Sequence, residues 1–312
     1  MNDRKQFTGR KIIRILDSIL NVVIIAAMVL VLLFGLYATW DTNQIYHEAD
    51  AAQFEQYKPK PEDVMGFEEI RRMNKDVIAW ITLYGTHVDY PVVRGEGNDT
   101  YINTNVFGSY SMSGCIFLDF RNALNFEDFN SIIYGHHMEK QAFFGELDTF
   151  AQKQVFDAKR YGNLYYEGRD HGLEVVAYLQ VDAYDFNTYT PGVSGWESQQ
   201  SYIDYLLTQA VHKRDISLTP NDKLVLLSTC SSESTNGRNI LLCHITDEVY
   251  ENTFTDDEPG AKFGLHIDMG SIQSAVGHVP NWCWLVLFIL LLTLEIFITE
   301  RRKRRRRQRK KG

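Results

Sequence analysis

Two apolar stretches near the ends of this chain constrain everything between them. Ser18 to Trp40 carries no charge, and Asn21 is its only strongly polar interior residue. A bilayer span takes about 20 predominantly apolar residues, so this run is long enough. Trp282 to Thr299 is a second such run, broken only by Glu295. Tyr37, Trp40, Trp282 and Trp284 stand where interfacial aromatics belong. The first run exceeds the apolar core of a secretory signal, so an uncleaved anchor is expected. Arg301 to Lys311 follows the second run at once and reads as a stop-transfer signal. Before the first span lie Arg4, Lys5, Arg10, Lys11 and Arg14 against Asp3 and Asp17. Both tails should therefore be cytoplasmic and the middle of the chain external. The expected order is a basic tail (1–17), a transmembrane anchor (18–40) and an extracellular stalk (41–63). A folded domain (64–250), a linker (251–280), a second transmembrane helix (281–299) and a second cytoplasmic basic tail (300–312) follow.

Charge and cysteine content then narrow what the external part can be. The whole chain has a net charge of −8 from 32 basic and 40 acidic residues. Setting aside the fifteen basic residues of the two tails leaves 17. Setting aside Asp3, Asp17, Glu295 and Glu300 leaves 36 acids, so the external part stands at −19. Such a surface repels nucleic acid, and the basic tail reads as a topology and anionic-lipid signal. Cys283 falls in the second span, which leaves Cys115, Cys230 and Cys243 outside. Three is odd, so one external thiol is free unless it bonds between chains. A Cys115–Cys243 disulfide would leave Cys230 free, and the sequence leaves that pairing open. No metal site is expected, because the cysteines lack paired ligand spacing.

Between the spans the pattern is mostly β. Glu62 to Asn74 has apolar residues at helical spacing and predicts a short amphipathic helix. After it come short β-branched or aromatic runs at Val77–Leu83, Val88–Val93, Gly114–Asp119, Ser131–Tyr134, Leu173–Tyr184, Lys223–Thr229 and Asn239–Thr246. Gly, Asn and Asp separate many of them, as in a barrel or sandwich. One helix interrupts the series. Ile203, Leu206, Leu207, Ala210 and Val211 predict a helix over 198–212, with Ser198 as its cap and its apolar stripe in the core.

The chemistry concentrates at the end of one strand. Leu226-Leu227-Ser228-Thr229-Cys230 reads as a buried strand ending in a polar triplet, and a loop rich in Ser follows. A thiol at a strand end can be reached by substrate, whereas a free Cys is otherwise usually an inert core residue. Ser131 to Met138 is a strand that breaks at Gly135 and presents His136 and His137. Imidazole supplies the near-neutral acid or base that thiol catalysis needs. His137 reads as a solvent-facing loop residue. Arg238 offers a guanidinium fork for an oxyanion or a substrate backbone; the bland alternative is a surface ion pair, for instance with Glu233.

A strand ending Ser-Thr-Cys, an Arg eight residues later and a Tyr-Gly-His some 90 residues upstream together resemble the sortase family, and class B in particular. Asn74 to Trp80, Gly85 to Val93 and Gly114 to Asp119 support the resemblance, as does the helix before the catalytic strand. It covers about residues 65–250. The resemblance implies a closed, mostly antiparallel sortase-type β-barrel with peripheral helices, and the two apolar runs flank it with two transmembrane helices. It implies a site of Cys230 (nucleophile), His136 (general acid/base) and Arg238 (oxyanion or substrate stabilisation), with Ser228 and Thr229 lining the substrate groove. The implied activity is that of a cysteine transpeptidase without cofactor. It cleaves a Thr–X bond in the sorting signal of surface proteins and passes the acyl group to an amine of a cell-wall precursor. The implied place is the cell membrane of a Gram-positive bacterium. Some features depart from class B. Leu226 stands where Thr is usual, and Cys115 where Ser is common. A C-terminal span is more typical of pilus-building class C enzymes, whose Asp-Pro-aromatic lid is missing from this sequence. The alternatives are a pilin lysine as acceptor, a purely hydrolytic cysteine peptidase, or a non-catalytic surface-binding module.

Overall fold

The computed structural model describes residues 2–60, 63–138, 141–230 and 236–254, with the side chains of residues 2–15 and of Cys230 excepted. The chain divides into two units, Met1–Ala261 and Lys262–Gly312, and every described residue belongs to the first. The expected second span, its basic tail, Cys283 and nearly all of the 251–280 linker lie outside the described residues. A 47-residue helix, α1 (Asn2–Glu48), opens the chain. Its Leu16–Glu48 portion is, among the described residues, the one helix long and apolar enough to cross a bilayer. The segment 41–63, expected as a stalk, stays helical to Glu48 and then makes two 3-10 turns at Ala51–Gln53 and Glu55–Tyr57. Ala49, Phe54 and Tyr57 are buried in the core there. In a 3-10 turn side chains three apart eclipse, so Phe54 and Tyr57 present one face despite the polar residues between them.

Nine strands follow: β1 (Val77–Leu83), β2 (Asp89–Val93), β3 (Ile116–Leu118), β4 (Asn130–Tyr134), β5 (Tyr161–Tyr166), β6 (Arg169–Asp182), β7 (Ala210–Lys213), β8 (Lys223–Cys230) and β9 (Gly237–Thr246). Their order is β5-β1-β2-β3-β4-β8-β9-β6-β7, and a β5–β6 pairing closes eight of them into a barrel. Only β2–β3 and β4–β8 pair in parallel among these strands. Three helices lie outside the sheet: α2 (Met65–Met73), α3 (Lys153–Ala158) and α4 (Trp196–Thr208). The closed barrel with peripheral helices is the expected architecture, and closure pairs both sides of its eight strands, leaving the four-residue β7 as a short edge on β6.

The run Leu224-Val225-Leu226-Leu227 is apolar without alternation because both faces of this part of the sheet are covered. Val225 and Leu227 join Ile133, Leu241 and Cys243 in the barrel interior. Leu224 and Leu226 join Ile132, Ile240 and Leu242 beneath Tyr202, Ile203 and Leu206 of α4.

Two strands differ from the sequence reading. β5 carries Gly162 and Asn163, which weigh against a strand by propensity. Gly162 is required there, because a Cβ would meet the Thr82 carbonyl oxygen at 2.4 Å. The β5–β6 hairpin turns through Glu167 and Gly168, whose φ values of 50° and 81° suit the twist of the flanking strands. β7 takes Ala210 and Val211 away from the expected helix. Pairing with β6 gives their backbone a ladder, and the helix stops at Thr208. Ser198 is not the cap: it lies inside the first turn, and Gly195 at φ 89° begins the helix.

Candidate active site

Three neighbouring strands carry or lead into the sequence-expected residues. β8 is the middle strand. On its parallel side Tyr134 of β4 stands beside Ser228, and the Gly135 N–H donates to the Ser228 carbonyl at 3.1 Å. β4 and its pairing end at Tyr134, and His136 follows two residues beyond. On the antiparallel side the backbone of Cys230 pairs with that of Arg238. The backbone register therefore sets the end of β4, two residues before His136, beside Ser228, two residues before Cys230, and sets Cys230 across from Arg238. Gly135 lets the Phe144 ring pack closely beneath the chain before His136, since a Cβ there would meet that ring at 2.7 Å.

His136 is half-buried, and its Nε2 lies 2.8 Å from the carbonyl oxygen of Ile102. A carbonyl can only accept, so Nε2 carries the proton in this bond. Nδ1 is left as the nitrogen that can exchange a proton with a reacting group. His137, expected to face solvent, instead pairs with Asp148 at 3.1 Å and is only 19 % exposed. Successive residues of an extended segment point to opposite sides, so His136 and His137 serve different partners. Arg238 is half-buried, and its Nη1 donates to the Gly237 carbonyl at 2.9 Å.

Ser228 and Thr229 are both buried. The Ser228 hydroxyl pairs with the Tyr189 hydroxyl at 2.9 Å, under the segment that joins β6 to α4. Thr229 stands across from Asn239, and its Oγ1 has no hydrogen-bond partner among the described residues. Cys115 and Cys243 are both free and buried, which answers the disulfide question. Burial raises the Cys115 thiol pKa, and pushes that of Cys243 up to about 12, so neither is a thiolate near neutral pH.

The neighbourhood holds residues for which the sequence offered no role. Tyr134 stacks near Tyr189, with ring centres 6.2 Å apart and planes at 22°, and its hydroxyl donates to Asp119 at 3.0 Å. Asp119 in turn is gripped by Arg121 and Asn98. In sequence, Asp119-Phe120-Arg121 looks like an ordinary charged turn after a strand. Only burial distinguishes it, and no pattern marks Tyr189.

The chain matches no protein-family model. It is similar to sortase B of Listeria monocytogenes, 30% identical over 169 residues, covering 53% of this chain and 67% of that protein. Among solved structures it is similar to sortase B from the Type II pilus of Streptococcus pneumoniae. That likeness is 48% identical with a TM-score of 0.52, covering 58% of this chain and 99% of that one. A class B sortase of Streptococcus pyogenes involved in pilus biogenesis is also similar, at 37% identity and TM-score 0.54, over 58% of this chain and 98% of that one.

Proposed function

This chain belongs to the class B sortase family, and on that footing we propose that its transpeptidase chemistry runs through Cys230, His136 and Arg238. The thiolate of Cys230 attacks the carbonyl carbon of a Thr–X bond in a C-terminal sorting signal. The carbonyl oxygen takes up negative charge, and the Arg238 guanidinium, a fixed fork of donors, stabilises it. His136 gives its proton to the departing amine, the C–N bond breaks, and a thioester remains on Cys230. An amine then attacks the thioester, His136 takes its proton, and the thiolate is released with a new amide bond formed. Ser228 and Thr229 shape the floor on which the sorting peptide lies. The observation that supports this reading is the backbone pairing of Cys230 with Arg238, next to the end of β4 that leads into His136.

The acceptor is an amine of a cell-wall precursor. A pilin lysine is the second reading, favoured by the 48% identity to a pilus sortase. In either case the anchor is α1, whose apolar Leu16–Glu48 portion suits a bilayer. The catalytic domain then lies outside a Gram-positive membrane, with a second span at 281–299 and both basic tails in the cytoplasm. Product analysis tests the reaction class: with Thr-containing sorting peptides, an added amine should turn the hydrolysed product into an amide. A product that stays hydrolysed at saturating amine would mark a peptidase instead. Cys230→Ala should abolish turnover, and Arg238→Lys should be severely impaired, because an ammonium cannot reproduce the fork.

A further inference from the structure

Asp119 and Arg121 lie outside the Cys230, His136 and Arg238 set, yet they are bonded to the end of β4 and to the segment that bonds the end of β8. Asp119 follows β3 directly and is fully buried. Its Oδ1 accepts from the Arg121 backbone N–H at 3.0 Å and from Arg121 Nε at 2.9 Å. Its Oδ2 accepts from Arg121 Nη2 at 2.8 Å, Asn98 Nδ2 at 3.0 Å and the Tyr134 hydroxyl at 3.0 Å. Burial alone would raise the carboxyl's pKa, but the bonds from Arg121 and Asn98 outweigh it and hold the group below the usual carboxylate value. A buried charge so fully bonded is rigid, since any movement leaves a donor or acceptor unpaired.

Two arms lead from this centre. Through its hydroxyl, Tyr134 is fixed at the end of β4, two residues before His136. Through Arg121, whose Nη2 also lies 3.3 Å from the Tyr189 carbonyl oxygen, the segment between β6 and α4 is fixed as well. Tyr189 stacks near Tyr134 and bonds Ser228, two residues before Cys230. The segment is therefore tied to the ends of both β4 and β8.

We propose that Asp119 and Arg121 are positioning residues, which hold the 183–195 segment against the ends of β4 and β8 and so set the shape of the site that admits the sorting peptide. The proposal rests on reading Cys230 as the nucleophile at that end. Arg121→Lys keeps a cation beside Asp119 but cannot span both the carboxylate and the Tyr189 carbonyl. The test uses the full chain in detergent micelles, an amine acceptor and the fastest-cleaved member of a set of Thr-containing pentapeptides. Loss of one charge-assisted bond should raise KM roughly tenfold, with kcat close to wild type and the pH profile of kcat unmoved. Amide hydrogen exchange should quicken across 183–195 and stay unchanged in β8 and β9. Wild-type KM and exchange would overturn the proposal. So would a fall in kcat at constant KM with faster exchange throughout the barrel, since that is a general loss of folded enzyme. Cys230→Ala run alongside separates the two ideas. Turnover surviving in that variant would remove the nucleophile reading and this proposal with it. A dead Cys230→Ala beside a wild-type Arg121→Lys would remove positioning alone.

Discussion

Glu146 and Asp119 are both buried carboxylates just beyond regular structure, and both are held ionised by several donors. Glu146 accepts from the His87 backbone N–H at 2.9 Å, from His87 Nδ1 at 2.8 Å and from Lys159 Nζ at 2.6 Å. Burial raises its pKa, but those bonds more than offset it and bring it down to about 2. What differs is where the donors come from. His87 belongs to the β1–β2 turn and Lys159 to the approach to β5, so Glu146 staples scaffold to scaffold. Asp119 staples Tyr134, two residues before His136, and through Arg121 Tyr189, which bonds Ser228, two residues before Cys230. Burial and bonding are alike in the two places. On the positioning proposal, the attachment of the donors decides whether a buried carboxylate bears on folding or on turnover.

That contrast breaks or holds on measurable effects. The largest is expected for Glu146→Ala, which strands the Lys159 ammonium and should cost about 3–5 kcal/mol in denaturant unfolding. Its KM for the sorting peptide should remain that of wild type; a KM rise matching Arg121→Lys would erase the distinction. The next effect is a pH dependence. The Glu146 pKa is lower folded than unfolded, so its contribution is present above the ordinary glutamate value. It is lost as pH falls from there toward about 2. Glu146→Gln should flatten the acid limb of stability by something on the order of 3 kcal/mol, read by unfolding at a series of pH values. A third is Arg121→Lys, whose unfolding free energy should move by less than that of Glu146→Ala while its KM moves more. The smallest concerns His171, buried in β6 and stacked 3.8 Å from Tyr166. Burial, helped by Arg169, lowers its pKa. Protonation therefore favours the unfolded chain, and stability falls as pH drops below the ordinary histidine value. His171→Phe should make stability fall less as pH drops below that value, read by unfolding at a series of pH values, and leave KM alone.

Much of the barrel was legible because its strands are short apolar runs between turn residues, and β1 matches its expected bounds of Val77–Leu83. β5 was not, because Gly162 answers to the approach of Thr82, a long-range fact that local pattern does not carry. β7 was hidden by apolar spacing that suits a helix as well as it suits the strand that β6 recruits. At the site, the order of Tyr-Gly-His, Ser-Thr-Cys and Arg was readable as a resemblance, and the register sets those stretches side by side. Asp119, Arg121 and Tyr189 were not readable in role, since their meaning lies in burial and in bonds between segments 68 residues apart.

The most direct test of the central claim is the mass of the acylated enzyme. Full-length protein is mixed with a Thr-containing sorting peptide without added amine, quenched in acid and mapped by peptide mass spectrometry. The acyl fragment ending in Thr is expected on Cys230, with Cys115 and Cys243 unmodified, and it should disappear when an amine is added. Continued cleavage with no adduct on Cys230, or cleavage by Cys230→Ala, would contradict it.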